Sequence, residues 1–304
     1  MTKNVTRQDN QSLETKVIVA EVQRYLHQNL FFASSVFKDG QLTSDPSDPR
    51  PRLVDFSSYL GKDLRKGSTV SIPRVGRLYA QNKAEGVPIT FQAPTTEEIT
   101  LTVSSHLTVA TQIEDYGQFF NNVNNYRSIL KEESLNALID EFERQIFSLF
   151  TSFSSSIGTG GGDILSGDDL READLVLNQK NIPGNLRKYA VLTPEAYDKV
   201  RSDISRYDTA GDFGTNTLKT GKIQEELAGF RVVRSNRIEK VSGTAKMAAI
   251  TDNAFCYGFA CYPKYEEGRN LEALAGQQVY HMIFGVGVYR NAYGVLLNYD
   301  EINQ

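Results

Sequence analysis

Cysteine is almost absent: Cys256 and Cys261 are the only two in 304 residues. Their odd separation in an extended strand points them to opposite faces, so they are expected to remain free thiols, as suits a reducing cytoplasm. No apolar run approaches 18 residues, and the opening MTKNVTRQDNQSLET is polar, which argues against a membrane span or a signal peptide. Histidine is scarce too. His27, His106 and His281 are scattered and come with no HExxH, CxxC or Asp-x-Asp loop, so no metal site is expected. His106 and His281 read as structural members of alternating strands. No Gly-x-Ser-x-Gly elbow is present. The run GTGGG at 158–162 lacks the Gly-Lys-Ser/Thr ending of a phosphate loop and reads as a flexible hinge. FGVGV at 284–288 lacks the third glycine of a dinucleotide fingerprint and reads as close strand packing. Glu97 and Glu98 are neighbours that a strand would send to opposite faces. No catalytic, cofactor-binding or metal-binding residue is assigned, no cofactor is expected, and the chain does not read as an enzyme.

What is present is ordinary soluble composition, 40% hydrophobic and 23% charged, enough for one or two cores. The net charge of −4 gives no overall basic field to recruit nucleic acid or an anionic membrane. Positive charge is local: Arg50, Arg52, Lys62, Arg65, Lys66, Arg74 and Arg77 gather within 28 residues of sequence. That cluster reads first as a solvated face or as ion pairs between subunits, and second as a contact for nucleic acid.

The organising stretch is residues 127–156. Leu135, Leu138, Ile139, Phe142, Ile146, Leu149, Phe150 and Phe153 form the stripe of one long amphipathic helix, continuous from about Ile129 to about Phe153. Glu133, Asn136, Asp140, Glu143 and Arg144 are placed on the opposite face, with Asp140 and Arg144 at a favourable i, i+4 spacing. At about 1.5 Å per residue the helix spans roughly 40 Å, the width of a domain.

Before this spine the sequence is open. A helix is expected over 14–33, then an extended Pro- and Asp-rich connector over 40–52, so that the N-terminal part is a clasp for a neighbour rather than part of a core. In 66–113, GSTVSIPRVG reads as a strand with Pro73 at an edge. The alternation Ile99, Leu101, Val103, Ser105, Leu107, Val109, Thr111, Ile113 reads as a strand of about 15 residues, longer than compact domains use. Such a ribbon would project and would need another subunit to cover its apolar face. After the spine comes an α+β body: helices over 168–178 and from Pro194, a buried strand at 189–193, a helix turn over 222–227, a strand at 229–233, and closing strands at 248–259, 279–288 and 292–298.

Several motifs in this order resemble the major capsid proteins of tailed bacteriophages, with the Hong Kong 97-like fold. GSTVSIPR at 67–74 resembles the strand leading into the family's extended loop, and the spine follows in the family's order. NQKNIPGNLRKYAVLTP at 178–194 with Glu195-Ala196-Tyr197 resembles the opening of its axial domain. GFRVVRSN at 229–236 resembles that domain's next strand, and IFGVGVYRNAYGVLL at 283–297 its closing pair.

The resemblance implies an N-terminal arm over 1–52, a peripheral domain from 53–66 and 114–160, an extended loop (E-loop) over 67–113, an axial domain over 161–247, and closing strands of both domains over 248–304. It implies hexamers and pentamers of this chain in an icosahedral shell around double-stranded DNA, located in the virion and assembled in the host cytoplasm. The implied partners are a portal, a scaffolding protein that is separate or already removed, decoration or cement proteins, and packaged DNA contacted non-specifically. Lys83 lies near the loop tip, where the type member crosslinks through a lysine. No partner asparagine or activating acid is identified here, so no crosslink is expected. Two other readings remain: an encapsulin-like compartment shell of the same fold, and a soluble enzyme with an unrecognised site.

Overall fold

The computed structural model describes residues 31–38, 41–42, 51–60, 67–76, 78–86, 88–93, 96–114, 126–159, 163–180, 182–207, 226–241 and 243–300. The expected helix over 14–33 and the connector over 40–52 fall mostly outside these residues, as do most of the basic cluster and of the turn over 222–227.

Helix α1, Tyr126–Ser148, is continued by a single 3₁₀ turn, Leu149–Ser152, and stops where Phe153 becomes extended. Neither proline nor glycine interrupts it, so the apolar stripe stays on one line. Leu138, Ile139, Phe142, Ile146 and Phe150 are all buried. The helix lies on a four-stranded sheet in the order Val54–Asp55, β7 (Phe255–Asn270), β8 (Ala275–Val288), β3 (Ser105–Glu114). Phe142 meets Phe259, Phe284 and Tyr257 of that sheet, and Ser105 Oγ donates to Gln145 Oε1 at 2.7 Å.

The alternating run over 99–113 is two strands rather than one. β1 (Thr69–Val75) and β2 (Thr96–Thr102) form a two-stranded antiparallel ribbon, and the chain then breaks at Val103–Ser104 before β3 joins β8. Gly67 N donates to Val103 O (2.7 Å) and Val103 N to Ser68 O (2.9 Å), which pins the base of the ribbon. Periodicity survives the break because Leu101 and Val103 are both buried. A period-two signal reports which side faces the core, not which strand is the partner. FGVGV packs closely, as expected: a Cβ on Gly285 would lie 2.3 Å from Thr102 O.

The second sheet has seven strands. Its path runs Ser156–Ile157, β9 (Gly294–Asp300), β6 (Thr244–Thr251), β4 (Lys188–Leu192), β5 (Phe230–Arg234), Glu226–Leu227, with Lys240–Val241 on β6. β4 and β5 are parallel and joined through α3 (Pro194–Tyr207). Thr193 Oγ1 accepts from Ala196 N at 3.3 Å at the start of that helix. Helix α2 (Gly167–Gln179) begins with a Ser166/Asp169 capping box and buries Leu170, Ala173 and Leu177; Leu175, off that stripe, faces solvent.

The expected strand over 248–259 is also two, β6 and β7, separated at 252–254 with Asn253 at φ 62. There the chain leaves one sheet for the other. The Asp252 carboxylate fixes the crossing: it accepts from Arg52 N (2.9 Å) and faces Arg187 Nε (3.3 Å). Gly158 is no loose hinge. At φ 79, it would put a Cβ 2.5 Å from Asn298 O, so the chain turns there under tight packing. Of the expected helix turn over 222–227, the described part, Glu226–Leu227, is a strand paired with β5.

Candidate functional site

Ribbon β1–β2 carries a gradient of burial. At its base Leu101 packs with Phe56 and Cys256, and Ile72 and Ile99 lie partly buried against them. Further out, Ser71 Oγ donates to Glu98 Oε2 at 2.7 Å across the two strands. Beyond Val75 and Thr96 the ladder ends, and the outer described residues form a loop with a turn at Glu85–Gly86 rather than the continued ribbon the alternation suggests. Gln92 clasps it, accepting from Tyr79 N (3.0 Å) and donating to Tyr79 O (2.5 Å). Leu78, Tyr79 and Ile89 stand exposed on this loop, and Phe91 is 93% exposed. Exposed apolar side chains this concentrated mark a surface that another molecule covers. Lys83 is exposed on the same loop.

A second projection was not legible in the sequence. β7 and β8 pair as one long antiparallel hairpin from Phe255↔Val288 to Asn270↔Ala275. Leu271 and Leu274 are exposed at its tip, where Asn270 Oδ1 accepts from Glu272 N (3.0 Å) and Ala273 N (3.3 Å). Residues 262–270, YPKYEEGRN, are polar on both faces, so they carry no alternation to read.

The most constrained charged group is Glu143, which sequence periodicity places on the outer face of α1. It is completely buried. Its carboxylate accepts from Phe31 N (2.9 and 3.0 Å) and Ala33 N (3.3 Å), and Arg237 Nη1 lies 3.8 Å away. Burial pushes the Glu143 carboxyl up to about 7, against the downward pull of the Phe31 and Ala33 amides and of Arg237. Arg237 also donates from Nε to Asp140 Oδ1 at 2.6 Å, so Asp140 pairs with Arg237 rather than with Arg144, which reaches Glu141 instead. Of the N-terminal part expected to act as a clasp, residues 31–36 pack into the core, and most of the rest lies outside the described residues. Phe31, Phe32, Ala33 and Val36 are buried, with Phe32 edge-on to Phe147, Phe150 and Phe255 and Phe31 against Tyr189. The sequence signal for this was Phe147, four residues after Glu143, which widens the apolar stripe around it.

The histidines do not assemble a metal centre. His27 lies outside the described residues. His106 and His281 come together edge-on at 5.9 Å on the sheet face away from α1, and His281 Nε2 is 3.6 Å from Glu266, itself bound to Lys264. Among the described residues no group of three or more His, Cys, Asp or Glu is placed to hold a metal. Cys256 is buried and Cys261 half-buried, both as free thiols. An open groove runs along α2 past Asp168, Arg171, Glu172 and Asp174. Asp168 and Asp174 in it are engaged by Arg171 (3.3 Å) and Lys188 (2.5 Å). No helix among the described residues is long and apolar enough to cross a membrane.

Comparison with known proteins points the same way. Residues 87–255 match the family model described as P22 coat protein, gene protein 5. No curated protein matches the chain. A chain from Mycobacterium phage Che8 is similar in fold, with a TM-score of 0.70 at 17% identity over 92% of this chain and 95% of that one. The asymmetric unit of the bacteriophage PhiM1 mature capsid matches at TM-score 0.67 and 9% identity, over 93% and 91%. The SrpI encapsulin of Synechococcus elongatus matches less well, at TM-score 0.51 and 13% identity over 83% and 86%. At these identities the likeness is one of fold: a spine helix on one sheet, a second mixed sheet, and a projecting ribbon, the Hong Kong 97-like arrangement.

Proposed function

We propose, since this chain belongs to the P22 coat protein family, that its subunits join as hexamers and pentamers into a closed icosahedral shell around double-stranded DNA. It is a major capsid protein, a structural component of the phage virion. The observation that carries the assembly reading is the ribbon tip. Leu78, Tyr79, Ile89 and Phe91 leave most of their surface exposed, and a heterologous contact repeated around a ring lets each tip lie on the next subunit. In this proposal residues 1–52 act as the arm, 67–113 as the extended loop, the α1 sheet as the peripheral domain and the seven-stranded sheet as the axial domain. We assign no enzymatic step to the chain. Scaffolding, portal and cement proteins and packaged DNA are the proposed partners, and the host cytoplasm the proposed place of assembly.

Sedimentation and electron microscopy of the purified full-length protein test the reading. Capsomers or closed shells are expected, and a monomer at every concentration would overturn it. Shells that co-purify with an enzyme cargo, and take up no DNA in infected cells, would favour the encapsulin-like alternative.

A further inference from the structure

We propose that Glu143 makes the seating of segment 31–36 between the two sheets a proton-linked step, so that the segment is held more tightly in mild acid than near neutrality. Three separate parts of the chain meet at this carboxylate. Helix α1 supplies it, the N-terminal segment covers it with the amides of Phe31 and Ala33, and the turn after β5 brings Arg237. Segment 31–36 therefore closes the carboxylate off from water. Lifting the segment would return Glu143 to solvent and undo the contacts of Phe32 with Phe147, Phe150 and Phe255.

The charges facing Glu143 can be taken element by element. On α1, Asp140 adds a like charge, and it engages Arg237 through Nε at 2.6 Å. Among the described residues the turn after β5 brings Arg237 to Glu143, at 3.8 Å and shared with Asp140. β4 offers Tyr189, whose ring lies on Phe31, and beyond it the Arg187–Asp252 pair. Segment 31–36, FFASSV, contributes no titratable side chain. A fully buried carboxylate that faces one shared cation among the described residues is expensive to keep ionised, and two backbone amides offset only part of that cost. Burial accordingly holds its carboxyl at about 7 instead of the usual 4.5. With the segment lifted the group returns towards its ordinary value, so seating takes up a proton. The sign follows: the gain from proton uptake is complete below about 4.5, shrinks as pH rises, and is gone above about 7.

Hydrogen exchange of the full-length protein reads the seating directly, with rates on peptides covering 31–36 corrected for intrinsic pH dependence. In the wild type, protection of these peptides is expected to fall by roughly 50- to 100-fold between about pH 5 and about pH 8 and then level off. Peptides from β6 serve as an internal control and are expected to stay unchanged. Glu143→Gln keeps the shape and an acceptor but cannot ionise, and is expected to flatten the profile. Asp140→Asn removes the like charge and leaves Arg237 to Glu143, and is expected to move the fall to lower pH. A flat wild-type profile, or a Glu143→Gln profile as steep as the wild type, overturns the proposal. Should Glu143→Gln fail to fold, an Asp140→Asn profile that does not move overturns it as well.

Discussion

Phe142 sits where the spine meets the sheet. It is fully buried, stacked on Phe259 with centroids 5.6 Å apart and edge-on to Phe284 at 5.1 Å. Truncating it leaves a cavity that the long strands β7 and β8 cannot collapse around, so Phe142→Ala is expected to cost about 3–5 kcal/mol, measured by denaturant unfolding. An unchanged unfolding midpoint would contradict this packing. The two thiols should differ sharply. Burial pushes Cys256 up to about 12, whereas Cys261 is partly accessible. A small thiol reagent at mildly alkaline pH is expected to modify one cysteine in the native protein and both after unfolding. Two fast thiols in the native protein would mean that Cys256 is not in the core. At this scale the sequence was readable where a residue follows its element's period, as Phe142 does. It misled at Glu143, because a second buried face of α1 is created by residues more than a hundred positions away in the chain.

Elements were legible by type more than by extent. The spine is found where its stripe predicts, and β4, α3 and β5 follow the YAVLTP and GFRVV motifs closely. Strand ends were not: at Val103–Ser104 the chain changes sheets without any lapse in apolar spacing, and at 252–254 only the short polar run Thr251-Asp252-Asn253 marks the change. The first of these crossings gives a prediction. β8 passes so close to it that a Cβ on Gly285 would strike Thr102 O at 2.3 Å, a backbone atom that cannot rotate away. Gly285→Ala is therefore expected to destabilise the subunit by about 1–3 kcal/mol, read as a lowered melting temperature. A neutral substitution would show that the ribbon base is loosely held. The outer loop behaves oppositely, since its apolar side chains touch little of their own subunit. Deleting 78–92 is expected to leave a folded monomer with wild-type unfolding but poor assembly in sedimentation. A deletion that assembles normally would remove the loop's role, and one that does not fold would place it in the core.

The whole molecule has the two sheets of a shell subunit, with segment 31–36 packed between them and two projections reaching away. Among the described residues, forty buried hydrophobic side chains join into one cluster. What remains uncovered is concentrated at the tips, chiefly Phe91 at 93% exposure. Burying about 150 Å² at this ring would contribute roughly 3–4 kcal/mol per contact at most. Repeated around a ring of subunits, contributions of that size decide between capsomers and free monomers. The position of Phe91 in assembled particles, seen by cryo-electron microscopy, therefore tests the account most directly. The account predicts that its ring is buried against a neighbouring subunit in both hexamers and pentamers; particles in which Phe91 remains in solvent would contradict it.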